Sequence, residues 1–198
     1  MIDGQHRLTK SLIEATEFGP LYVLYVTADL TQAYEHAANA THLIRHFVYL
    51  KPDIWLIIDD LAAAEPSTFE LLFHSDHAFR QIGDAQYAAG GEKGSVRLDC
   101  LYPEAVTIDC ETQIAIGASS VHADQPMELL RIRNAAPAPD GMFVALLEAH
   151  RANDAPKAVA SVDRDGASLT VTIEADSKKY VVPLPALGAV DPVEVTLL

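Results

Sequence analysis

Residues 42–74 read His-Leu-Ile-Arg-His-Phe-Val-Tyr-Leu-Lys-Pro-Asp-Ile-Trp-Leu-Ile-Ile-Asp-Asp-Leu-Ala-Ala-Ala-Glu-Pro-Ser-Thr-Phe-Glu-Leu-Leu-Phe-His, and the punctuation of this stretch decides the fold. Three apolar runs rich in β-branched and aromatic residues, His42 to Leu50, Ile54 to Asp59 and Thr68 to His74, are separated by Lys51-Pro52-Asp53 and Glu65-Pro66-Ser67. Each run has strand length, and Pro beside Asp or Ser is turn chemistry. The expectation is a β-meander, three antiparallel strands at the centre of a sheet.

Upstream, Ser11 to Phe18 alternates loosely and closes at the breaker Gly19-Pro20. Leu21 to Ala28 is a run of β-formers and reads as a buried strand. Asp29 to Ala40 is Ala-rich, with Asp29 or Thr31 placed to cap, and reads as a short helix or a compact loop holding Tyr34. Downstream, the glycines of residues 83–95 mark hairpin turns, and Lys93 followed by Gly94 does not complete a phosphate loop. Strands are expected at Val96 to Leu101, Val106 to Cys110, Met127 to Arg133, Met142 to Glu148, Ala158 to Asp163, Ser168 to Glu174 and Lys179 to Leu184. A turn is read at Pro137 to Gly141, and Asp165-Gly166 is a hairpin signal. With a turn every eight to twelve residues, about a dozen short strands and at most one or two short helices, the chain reads as all-β: a single, large antiparallel β-sandwich over 1–198.

The 198 residues are 49% hydrophobic and 21% charged, enough to supply a packed core. No apolar run approaches the ~18 residues of a membrane-spanning helix, and no signal peptide is visible at the N-terminus. The net charge of −14, from 28 acidic and 14 basic residues, disfavours nucleic acids and anionic membranes, which are bound by neutralising phosphates with Lys and Arg. The densest basic cluster, Arg131 with Arg133, is too small for a polyanion groove. Cys100 and Cys110 flank a Pro-Glu turn and are expected opposite each other on a hairpin centred near Ala105. Two small buried residues are favoured there over a disulfide, and the spacing is not a zinc signature.

His74-Ser75-Asp76-His77 is the most metal-like cluster: on an extended strand His74 and Asp76 share a face, and a third ligand must come from another strand. The plainer assignment is a polar strand end leading into a loop, with His74 capping the sheet edge; His74, His77 and Arg45 are the candidates for touching a saccharide. His42 and His46 have the spacing of helical zinc ligands but lie in a β pattern, where they share one half-wet face with Ile44 and Val48. Arg45, interleaved with Leu43, Phe47 and Tyr49 on the other face, is expected to pair with Asp59 or Asp60. Those two carboxylates point to opposite faces and are not a catalytic pair; Asp60 is expected to cap the Ala-rich turn after it. His122 is a loop histidine without a visible partner, and no Ser has the flanks of a nucleophile.

Arg45, then Val48-Tyr49-Leu50-Lys51-Pro52-Asp53, Trp55, Ile57-Ile58-Asp59-Asp60 and Phe69-Glu70-Leu71-Leu72-Phe73-His74 together resemble the C-terminal β-sheet region of the heparinase II/III-like polysaccharide lyases, which include heparin, heparan and alginate lyases. The resemblance runs from about Ile2 to about Pro156, lies in strand residues, and implies a supersandwich-like fold. It further implies β-elimination on a uronic-acid polysaccharide, a periplasmic or secreted parent, and a partner in an N-terminal α/α-toroid that carries most of the catalytic side chains. In the family, an Ile-Asp-Gly-Gln element like Ile2 to Gln5 follows a His-Asn pair whose His is a metal ligand in many members, so a divalent ion such as zinc is implied for the intact parent and no catalytic residue is assigned here. Two other readings stand beside it. One is a carbohydrate-binding or assembly module, with Tyr22, Tyr25, Tyr34 and Trp55 as candidate aromatics, although Trp55 reads rather as a core residue. The other is a small metal-dependent enzyme built on His74, Asp76 and His77.

Overall fold

The structure, a computed structural model, describes residues 23–32, 40–114, 126–166, 168–189 and 193–198, and the main chain of 14–18. It is an all-β sandwich of antiparallel sheets. The largest sheet has eight strands in the order β1-β2-β3-β4-β11-β8-β7-β6. These are β1 (Glu14–Phe18), β2 (Val23–Asp29), β3 (Ala40–Leu50), β4 (Ile54–Ser67), β6 (Arg80–Gly83), β7 (Gln86–Gly90), β8 (Gly94–Tyr102) and β11 (Ala138–Arg151). A three-stranded sheet joins β5 (Glu70–Ser75), β10 (Pro126–Asn134) and β9 (Val106–Ile114). A four-stranded sheet joins β12 (Val159–Asp165), β13 (Ser168–Ala175), β14 (Lys178–Pro183) and β15 (Thr196–Leu197).

The two smaller sheets cover opposite faces of the large one, because strand side chains alternate. Ile54, Leu56 and Ile58 of β4 and Met142, Val144 and Leu146 of β11 pack with Val171, Ile173, Tyr180 and Val182 of the four-stranded sheet. The intervening residues Phe143 and Ala145, with Leu61, Tyr87 and Leu98, pack with Leu71, Leu130 and Ile132 of the three-stranded sheet. This is why Ile54 to Leu61 and Met142 to Leu146 are near-continuous apolar runs rather than alternating ones.

The first hairpin forms as the sequence indicates, with Leu50 opposite Ile54 and Arg45 opposite Asp59. The third run of the expected meander does not follow. β4 continues through Glu65-Pro66 to Ser67 and has β3 on one edge and β11 on the other, so β5 crosses to pair with β10. The amide of Asn134 fixes the crossing: its Oδ1 accepts from Phe69 N at 2.8 Å, and its Nδ2 donates to Ser67 O at 3.1 Å.

The expected cysteine hairpin fails for the same reason. Both edges of β8 are taken, by β11 and β7, so β9 crosses to β10 and Cys110 lies opposite Leu130. Both thiols are free; Cys100 is half-buried and Cys110 exposed, rather than both buried on paired strands. Burial pushes the Cys100 thiol up to about 11, and burial, with Asp109 and Glu128 nearby, also raises Cys110. A disulfide reagent added to the folded protein is therefore expected to label Cys110 first and Cys100 only slowly, since the thiolate is the reactive form. Equal rates at both sites would contradict this placement.

Elsewhere, Asp165 and Ser168 close the β12–β13 hairpin as expected, with Gly166 at φ +60°. The β7–β8 hairpin needs Gly90, where a Cβ would lie 2.5 Å from Ser95 Cα. The turn read at Pro137 to Gly141 falls earlier, because β11 begins at Ala138 and absorbs the irregularity as a register shift between Ala138 and Asp140. Of the helix read at Asp29 to Ala40, residues 31–32 are helical and Thr31 N donates to Asp29 Oδ1 at 2.9 Å; residues 33–39 lie outside the described residues.

Arg97, Asp99 and Glu148 form a buried charged cluster between the large sheet and the four-stranded sheet. Arg97 NH2 lies 3.2 Å from Glu148 Oε2 and donates to Ala158 O at 2.6 Å. Arg97 Nε is 3.2 Å from Asp99 Oδ1, close but not aligned for a hydrogen bond. Glu148 also accepts from the amides of Lys157 at 2.6 Å and Ala158 at 3.0 Å, which ties the lead-in of β12 to β11.

Candidate functional site

Two regions hold the residues singled out in the sequence. The first is an open cleft of about 530 Å³ at the end of β5. It is lined by His74, Asp76 and His77, and across from them by Ser95, Met127 and His150. His77 lies against Gly91, where an added Cβ would come within 2.8 Å of its Nε2 and the ring would have to shift. β5 ends at Ser75, so Asp76 is beyond the strand and the expected shared face with His74 is not what brings them together; the bend after Ser75 does. Among the described residues no group of three His, Cys, Asp or Glu side chains could hold a metal ion. Among those residues, His74 and Asp76 have no third such ligand beside them. His150 is the member of this cleft that strand patterning did not flag.

The second region is the β2–β3–β4 part of the large sheet. Arg45 grips Asp59 with two prongs, Nε to Oδ1 at 2.5 Å and NH2 to Oδ2 at 2.6 Å, and its guanidinium carbon lies 5.8 Å from the centre of the Phe47 ring. Of the two expected partners, Asp59 is the one on Arg45's face. Asp60, on the other face, does not cap a turn, because β4 runs on for seven residues beyond it to Ser67. Its carboxylate instead meets His42 Nε2 at 2.7 Å and accepts the amide of Gly188, joining the large sheet to the segment after β14.

His46 is fully buried rather than half-wet. Its Nδ1 lies 2.5 Å from the Tyr25 hydroxyl and 3.2 Å from Thr27 Oγ1, with Tyr25 and Thr27 also hydrogen-bonded to each other. Burial holds the His46 imidazole below its ordinary 6.5, and Asp60 and Asp59 only partly counter this. A lowered histidine contributes stability that is present above 6.5 and lost as pH falls through the lowered value. The imidazole carbon shifts of His46 should accordingly stay those of the neutral ring as the pH passes below 6.5. Protonation at or above 6.5 would contradict the buried placement.

On the face of Arg45, Leu24 and Val26 of β2 lie beside Tyr49 and Phe47 of β3, and Tyr49 lies beside Trp55 of β4. All five are half-buried, and neither smaller sheet takes them into its core. Tyr49 and Trp55 stack with ring centres 4.8 Å apart and planes 4° apart, and the Tyr49 hydroxyl donates to Pro52 O at 2.6 Å. Tyr25 is core, while Tyr22, Tyr34 and His122 lie outside the described residues. Arg131 and Arg133 do not form a basic surface. They are interleaved with Glu70, Asp109 and Glu111 on the three-stranded sheet, Arg131 reaching Glu111 at 2.7 Å and Arg133 contacting Asp109.

No protein-family model matches the sequence, and no curated protein matches it. Solved structures do resemble it in fold. Heparan sulfate lyase HepC from Pedobacter heparinus superposes with a TM-score of 0.60 at 13% identity, over 90% of this chain and 29% of that one. A heparinase III gene product gives 0.63 at 14% identity, over 87% and 27%. Another heparinase III gives 0.61 at 12%, over 86% and 27%. This chain thus spans less than a third of the length of each lyase structure, and what it shares with them is the fold of that part.

Proposed function

We propose that this chain is the β-sandwich region of a heparinase II/III-like polysaccharide lyase, forming one wall of the parent's saccharide cleft and bracing a helical domain, and inactive alone. The observation that carries this is the fold match, which takes in 87% of this chain but 27% of a heparinase III. The half-buried apolar face of Leu24, Val26, Phe47, Tyr49 and Trp55 supports it, because a contiguous apolar area on a sheet calls for a covering partner. The helical domain is that partner. The base and acid for β-elimination on a uronic-acid polysaccharide come from it, as does the positive charge that an acidic sandwich with paired arginines does not offer a polyanion. The parent works in the periplasm or as a secreted enzyme, and a divalent ion such as zinc, where the parent holds one, uses ligands beyond those described.

The test follows unsaturated uronate ends by ultraviolet absorbance, with alginate, heparan sulfate, hyaluronan and glucuronan as substrates. Silence from these 198 residues, with activity from the same region joined to its upstream sequence, is the expected result. Turnover by the 198 residues alone would overturn the supporting role and make His74 and His77 the first residues to substitute. Silence from both would favour a carbohydrate-binding or assembly module, for which the stacked Tyr49–Trp55 pair is the candidate platform.

A further inference from the structure

The chain contains three Asp-Gly pairs: Asp3-Gly4, which lies outside the described residues, Asp140-Gly141 and Asp165-Gly166. The fold puts the last two in opposite circumstances. Asp140 and Gly141 lie within β11, opposite Ala62 and Leu61 of β4, and a Cβ at Gly141 would meet the Phe69 ring at 3.4 Å. Asp165 instead ends β12, an edge strand, and its pairing with Ser168 closes the short hairpin loop that begins at Gly166. Both Asp165 and Gly166 are exposed. Gly166 has φ +60°, and a Cβ there would meet nothing within 4 Å. Its carbonyl accepts from Arg164 Nε at 3.0 Å, but its amide has no hydrogen bond among the described residues. The Asp165 carboxylate likewise has no hydrogen bond or ion pair among them. An unshielded amide nitrogen thus follows directly on a free carboxyl group.

We infer that Asp165-Gly166 is a site of covalent self-modification, where the folded protein converts Asp165 to isoaspartate. The Gly166 nitrogen attacks Cγ of the protonated Asp165 carboxyl. A C–N bond forms, the C–OH bond breaks, and the hydroxyl leaves as water with the amide proton. The resulting five-membered succinimide takes water back at either carbonyl. Opening at the side-chain carbonyl restores Asp165, and opening at the main-chain carbonyl leaves the chain running through Cβ. No oxidant, metal or second protein is consumed. Ring closure requires rotation about the Cα–C bond of Asp165 to bring the Gly166 nitrogen onto Cγ. At the hairpin end this loosens a single terminal pair, and the absent Cβ of Gly166 leaves nothing to displace. At Asp140 the same rotation would break pairing inside the eight-stranded sheet. Each conversion adds one methylene to the main chain beside a tight turn, which cannot absorb it and keep Asp165 opposite Ser168. The inference is independent of the lyase reading.

The experiment ages the 198-residue protein in neutral buffer, folded and in urea, and maps its peptides by mass spectrometry with fragmentation that separates isoaspartate from aspartate. In the folded protein isoaspartate should accumulate several-fold faster at Asp165 than at Asp140. In urea the two sites should converge, because the fold and not the dipeptide sets the difference. A succinimide peptide lighter by one water should precede the product at Asp165. Asp165→Glu, an exposed substitution that would have to close a six-membered ring, should abolish the product in the hairpin peptide. Asp165→Asn should hasten it, since ammonia then leaves in place of water. Accumulation at Asp140 as fast as at Asp165 in the folded protein would overturn the inference. So would an unmodified Asp165 in the folded protein, or product in the hairpin peptide undiminished by Asp165→Glu.

Discussion

Replacing Arg97 with Met should destabilise the protein by about 3–5 kcal/mol at neutral pH, the cost of leaving buried charge without its partner. The side chains of Arg97, Asp99 and Glu148 are only 11%, 6% and 4% exposed, so solvent cannot take over from the guanidinium. Glu148 keeps two backbone amide donors when Arg97 is removed, whereas Asp99 loses its cation. Asp99 should therefore carry most of the loss. Burial holds its carboxyl above the ordinary 3.8, against the pull of Arg97 and Gln86, while Glu148 pushes it further up. The sign follows from linkage: a raised carboxyl contributes stability that is fully present below 3.8 and is lost as pH rises through the raised value. Without Arg97 the folded value rises further, so the deficit of the variant is greatest at neutral pH and narrows on acidification. Urea unfolding of both proteins across that range measures it. A deficit under about 1 kcal/mol at neutral pH, the scale of a surface ion pair, would show that the cluster is wetter than its geometry indicates.

The second large effect comes from Phe143→Ala, expected to cost about 3–5 kcal/mol by loss of transfer energy and by the cavity left behind. Phe143 is 1% exposed and packs against the three-stranded sheet, while its neighbours Met142 and Val144 face the four-stranded sheet. The damage should therefore be one-sided. Amide hydrogen exchange is expected to quicken in β5, β9 and β10 well before it changes in β13 and β14. Leu146→Ala, fully buried on the other face, should give the mirror pattern. If both variants loosened all three sheets together, the two cores would be behaving as one.

The strands and their facing could be read from the sequence because they depend on local alternation. Strand alternation and the Lys51-Pro52-Asp53 turn narrow the partner of Arg45 to Asp59 or Asp60, and the structure selects Asp59. Where strands went next was not legible, because that depends on which edges are already occupied. Nothing in Glu65-Pro66-Ser67 or Pro103-Glu104 records that β4 and β8 have neighbours on both sides, and so the meander and the cysteine hairpin were misplaced. The role of Asp60 was hidden for a related reason, since Gly188 lies far along the chain and no local pattern links them. His46 looked half-wet because the sheet covering its face is built from residues more than a hundred positions later. The histidine cleft was partly visible, as His74, Asp76 and His77 are contiguous, but His150 joins it only through the pairing of β11 with β8.

The two covering layers also differ in how the chain supplies them. β12 to β15 are consecutive in sequence and joined by short turns, apart from the stretch between β14 and β15. In the three-stranded layer β9 and β10 are consecutive, but β5 is separated from them by three strands of the large sheet, so the β5–β10 pair closes a long loop before any contact rewards it. Chain-closure entropy then sets an order of events in time. The β12–β13–β14 hairpins can form from local pairings, while the layer holding β5 must wait until the large sheet has gathered its distant strands. During synthesis the ribosome would release β5 well before β10 exists to receive it, leaving the edge of β5, with Leu72 on its open side, as the segment most exposed to wrong partners until the chain has been made as far as Asn134.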